Sequence, residues 1–137
     1  MKLADINVIV GILSGMKINR ITDKKTKSAL LNDYLHLRPH FKKSQEQVEE
    51  IKTKFQEDWS DELDAVQSLR EKKKPVVGYD AYLEAETDAN KAISDTLSAE
   101  VEVDIKSVTM DDFMTACGGE ELTFEQIAFL QETGVIA

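Results

Sequence analysis

Two histidines four residues apart, His36 and His40, are the pair in this chain best spaced for metal chemistry. On a helix they would share one face, as the paired imidazoles of zinc sites do. A metallopeptidase helix would place a glutamate directly after the first histidine, and Leu37 stands there. Pro39 would also distort the turn between the two rings. Spacing offers no third ligand, so partly exposed helix histidines are expected, and no bound metal. Cys117 beside Gly118-Gly119 has the form of a nucleophile next to pliant backbone, yet no histidine accompanies it in sequence. A cysteine at a helix end is more often structural. Glu100, Glu102 and Asp104 alternate along one face and could meet a hard cation or a basic partner. The plainer reading is the wet side of an amphipathic strand. Asp111-Asp112 suits the first turn of a helix, where the backbone dipole favours carboxylates. With no phosphate loop, dinucleotide fingerprint or hydrolase elbow in the chain, no catalytic residue and no cofactor are expected, and the chain does not read as an enzyme.

Charge is divided along the chain. Residues 17–43 hold eight basic and two acidic groups, a balance of +6, whereas residues 80–137 hold two basic and fourteen acidic groups, a balance of −12. The net charge of −9 opposes nucleic-acid binding, and the basic run Lys17, Arg20, Lys24, Lys25, Lys27 lacks interleaved aromatics. Polarity of this kind suits head-to-tail contact between copies or a basic partner for the acidic end.

The elements that must position these groups are mostly helical. Only 6 Gly and 2 Pro in 137 residues favour long helices over a turn-rich sandwich. The apolar run Val8–Leu13 is too short for a membrane span and has no small-residue cleavage signal. It belongs to a first helix near residues 4–16, with Leu3, Ile6, Ile9 or Val10 and Leu13 on one stripe and Gly15 near its end. Thr22-Asp23 then caps a long helix over 23–58. Leu30, Tyr34, Leu37, Phe41, Val48, Ile51 and Phe55 form a heptad seam along it, with Ser44 as the polar gap. Pro39 interrupts the seam, but the phase is kept from Leu37 to Phe41, which predicts a kink and not a break. Ser60 offers a fresh cap, and a stripe through Leu63, Val66 and Leu69 continues to the stop at Lys72–Pro75. Whether 23–58 and 60–72 are one rod stays open.

A further helix from Asp80 to about Leu97, with Leu83, Ala89 or Asn90, Ile93 and Leu97 on one face, is placed to return along the long one as an antiparallel partner. Glu100–Lys106 alternates charged and apolar residues, predicting a half-buried strand with Val101, Val103 and Ile105 inward. Such a strand must pair with Val76-Val77 or with another copy. Thr109 caps a short helix to Cys117. Thr123-Phe124-Glu125-Gln126 reads as a capping box opening a last helix to Thr133-Gly134, with Phe124, Ile127, Leu130, Val135 and Ile136 clamping it to the body.

The predicted fold is therefore a single domain, mainly α with a minor β element. A long helical hairpin, antiparallel and coiled-coil-like, fills 1–97, and a small α+β unit of one strand and two short helices fills 98–137. The acidic helix leading into Glu-Val-Glu-Val-Asp-Ile, and the closing Leu-Thr-Phe-Glu-Gln-Ile-Ala-Phe-Leu-Gln, resemble a family of short phage- and prophage-encoded proteins of unknown function. These are often found among late structural genes, and the resemblance is strongest over residues 97–130. It implies a virion-assembly or accessory role in the host cytoplasm or the virion, and it transfers no catalytic residues. From the residues themselves, the seam Leu30–Phe55 and the strand Val101–Ile105 are the candidate surfaces for a protein partner, either a homo-oligomer or a phage structural protein. Binding of nucleic acid or a host protein through 17–43 is the alternative. No membrane is expected.

Overall fold

A computed structural model describes residues 1–60, 79–118 and 120–137. The described residues are mainly helical: α1 (Leu3–Gly15), a 3-10 turn (Ile18–Arg20), α2 (Lys24–Asp58), α3 (Tyr79–Ser98), α4 (Met110–Ala116) and α5 (Phe124–Glu132). They divide into two compact units, Met1–Lys43 with Ala99–Ala137, and Ser44–Ser98.

In the first unit α1 is the core. Leu3, Ile6, Ile9, Val10, Ile12 and Leu13 are all buried, far more than one stripe, and a helix apolar on most sides must be packed on most sides. Against it lie Leu30 and Leu37 of α2, Phe113 and Ala116 of α4, Leu130 of α5, and Val135 and Ile136 after it. Local signals set the boundaries. The Asp23 carboxylate accepts the Thr26 N–H at 2.9 Å and its hydroxyl at 2.8 Å, capping α2. Those same bonds hold the Asp23 carboxyl below its ordinary range. Thr109 caps α4 through Asp112 N, and both halves of the Thr123–Gln126 capping box are present on α5. Gly134, at φ 89°, supplies the left-handed turn after α5, and Ile136 N then donates to Leu130 O at 3.0 Å.

α2 runs unbroken through Pro39, in keeping with a heptad phase that continues from Leu37 to Phe41. Proline costs the helix the bond to the carbonyl four residues back, that of Leu35. Leu35 and Pro39 are both exposed, and water can satisfy that oxygen.

Residues 100–106 do not form the predicted strand. They are extended, with Val101, Val103 and Ile105 half-buried against the core and the intervening charged residues exposed, as the alternation required. Among the described residues no ladder builds up, however. Leu3 N donates to Ala99 O and Val101 N to Met1 O, forming a bridge at Lys2 and Glu100, and a second isolated bridge joins Val108 to Ile136. Between the bridges Lys106 N donates to the Asp33 carboxylate of α2 at 2.6 Å, so a side chain takes a place a neighbouring strand would fill. The proposed pairing segment Val76-Val77 and the 60–72 helix lie outside the described residues.

In the second unit the α2 residues from Ser44 onward face α3. Tyr82 is buried, its ring 5.5 Å from that of Phe55 and 6.0 Å from that of Trp59, the latter edge-on at 82°. Val48 and Ile51 are half-buried on the same stretch. This arrangement fits a helical hairpin. The sequence stripe runs through Leu83, but the buried side chain is Tyr82, one position earlier.

Candidate interaction surface

The predicted interaction residues fall into three settings. Leu30 and Leu37 are buried and Tyr34 and Phe41 half-buried in the first unit's own core. Val48, Ile51 and Phe55 are half-buried in the second unit, with Phe55 against Tyr82. Val101, Val103 and Ile105 lie half-buried along the first unit's core. Much of the seam is thus filled from within the chain.

The apolar surface left facing water is elsewhere. Among the described residues the exposed large hydrophobics are Val8, Ile18, Leu31, Leu35, Met114 and Phe124. Leu31 and Leu35 are one helical turn apart on α2, each one position past a seam residue, so they project away from the face that packs on α1. Ile18 and Leu31 line a cavity of about 310 Å³ that opens to solvent between the end of α1 and the start of α2. Leu13, Met16, Ile21, Leu30 and Tyr34 complete its apolar wall, with Ser14 and Lys27 as the other polar contributors. Lys27 is half-buried and has no ion pair among the described residues. Lys17, Arg20, Lys24 and Lys25 are exposed on the same stretch of chain. The result is a concave apolar surface with Lys27 at its wall, in a segment that is basic in sequence. The sequence carried a signal for it, an apolar pair at i and i+4 off the seam, which reading the seam alone passes over.

Phe124 departs from expectation most strongly. The sequence pattern places it in the clamp holding the last helix, yet it is 93% exposed. Along α5 exposure falls from Phe124 through half-buried Ile127 to fully buried Leu130, so the helix reaches the core only after its first turn. Phe124 follows Glu120 and Glu121 and precedes Glu125, and residues 107–137 contain no lysine or arginine.

The residues first considered for chemistry are not brought together. His36 is exposed with Nδ1 2.8 Å from the Asn32 carbonyl oxygen of its own helix. Among the described residues no group of three or more His, Cys, Asp or Glu is placed to hold a metal ion. Cys117 is buried, and burial first, then the Glu120 charge, push its thiol up to about 11. Glu100, Glu102 and Asp104 are exposed along the extended segment. Asp111 and Asp112 sit in the first turn of α4 as the dipole favours.

One buried polar group went unremarked in the sequence. Asp33 is fully buried on α2, its Oδ1 taking the Lys106 N–H and its Oδ2 without a hydrogen-bond partner among the described residues. Burial raises its carboxyl above the usual range, against the opposing pull of the Lys106 N–H, Asn32, His36 and the Lys106 charge.

No described helix is long and apolar enough to cross a membrane. Compared with models of known protein families, with curated proteins and with solved structures, the chain finds no match.

Proposed function

We propose that this chain is a non-enzymatic interaction and assembly protein, and that it associates with itself through the first unit. The observation that carries this reading is the 310 Å³ apolar cavity lined by exposed Ile18 and Leu31, with exposed Leu35 one helical turn on from Leu31. Contiguous exposed apolar surface costs free energy in water, and proteins that keep it commonly use it for docking. The likeness of residues 97–130 to phage-encoded chains favours a virion-assembly or accessory setting for such docking. Light scattering over a wide range of concentration tests the reading. Mass rising above the monomer supports it, and a strict monomer at every concentration overturns it.

The exposed cluster Lys17, Arg20, Lys24 and Lys25 favours a second reading, a small regulator that holds nucleic acid or a host protein by charge. It requires salt-sensitive retention on DNA that is lost when Lys24, Lys25 and Lys27 are changed to Glu.

A further inference from the structure

We propose that the basic apolar surface receives the acidic edge of a second copy of this chain, with Phe124 of one copy entering the cavity of the next. This deepens the self-association reading and rests on it. Five of the six exposed large hydrophobics among the described residues, all but Val8, sort by charge. Ile18, Leu31 and Leu35 lie in a segment with a balance of +6, and Met114 and Phe124 in one with six acidic and no basic groups. A protein whose exposed apolar groups stood in one field of uniform sign would call for an unlike partner. Here the chain carries both complements, a concave basic site and a projecting acidic aromatic.

The sizes agree. A cavity of about 310 Å³ walled by Leu13, Ile18, Ile21 and Leu31 has room for one phenyl ring. The ring is rigid and fully displayed, so little entropy is lost in docking it. Lys27, half-buried at the wall and without an ion pair among the described residues, would meet Glu121 or Glu125 beside the incoming ring. Charge of opposite sign around an apolar centre also fixes the direction of the contact and makes it sensitive to salt. An anionic membrane fits the basic face alone, but a net charge of −9 repels it. Because Phe124 and the cavity wall are formed by different residues, the contact joins unlike surfaces.

Three proteins decide it: the wild type, Phe124→Asp, and the double variant Leu31→Asp with Leu35→Asp. All three positions are exposed, so the fold should be retained, and circular dichroism checks that it is. The wild type should self-associate, each variant alone should scatter as a monomer, and an equimolar mixture of the two variants should form a one-to-one complex that added salt weakens. The milder Phe124→Ala should weaken association by about 10–100-fold, as expected for loss of one buried ring, and serves if the aspartate variant fails to fold. Undiminished assembly of both Phe124 variants would overturn the proposed occupant while leaving self-association standing. A wild type that stays monomeric overturns both. A mixture no larger than its components, or binding to anionic lipid vesicles without self-association, also counts against the second copy as occupant.

Discussion

Replacing Asp33 with alanine removes the acceptor of the Lys106 amide, a bond of 2.6 Å made by a fully buried carboxylate. A buried N–H left without a partner costs about 1–3 kcal/mol, which for a chain of this size lowers the melting temperature by roughly 3–5 °C per kcal/mol. Asparagine behaves differently, because it keeps an oxygen for Lys106 and discards the charge. The Asp33 carboxyl is raised by burial, so the folded state holds the proton more tightly than the unfolded one. The stability this contributes is fully present below the unfolded value of about 3.9. It is lost as pH rises through the folded value. Asp33→Asn should therefore gain on the wild type across that window and keep the gain at neutral pH. Urea unfolding at a series of pH values measures both effects, and amide exchange at Lys106 reports the local bond. An alanine variant as stable as the wild type, or an asparagine variant with the wild-type pH dependence, would refute the reasoning.

Thr123→Ala should lose about 1 kcal/mol by removing the acceptor of the Gln126 N–H, read as a lower melting temperature. Tyr82→Leu should forfeit the ring contacts to Phe55 and Trp59, about 0.5–1.5 kcal/mol for an aromatic pair. The emission of Trp59, the chain's one tryptophan, should shift with it. With its thiol pushed up to about 11, Cys117 should react slowly with iodoacetamide at pH 8 in the native state and quickly once the chain is unfolded. Equal rates in the two states would show that the thiol is not buried.

What the sequence revealed depended on how local the cause was. Asp23, Thr109 and Thr123 act on backbone within three residues, and each cap forms as the pattern implied. The continuity of α2 through Pro39 followed from unbroken heptad phase, again a property of neighbouring residues. At 100–106 the alternation correctly foretold which side chains would be half-buried. It could not reveal that the backbone would bond to Met1 and Asp33 in place of a sheet. Asp33 lies three residues after Leu30 and four before Leu37, a charged residue on the seam's own face, and its meaning emerges only when residue 106 is laid over it. Leu31, Leu35 and Phe124 were hidden for a related reason. An apolar residue in sequence is assigned to a core by default, and only the packed chain distinguishes the apolar groups left outside it.

The central claim is that the first unit's exposed apolar surface is covered when copies meet. Hydroxyl-radical footprinting in dilute and in concentrated solution tests it most directly, with the side chains of the second unit as the internal control. Labelling of Ile18, Leu31, Leu35 and Phe124 should fall in concentrated solution while that of Val48 and Ile51 stays constant. Equal labelling of Leu31 and Leu35 in the two solutions would contradict the account.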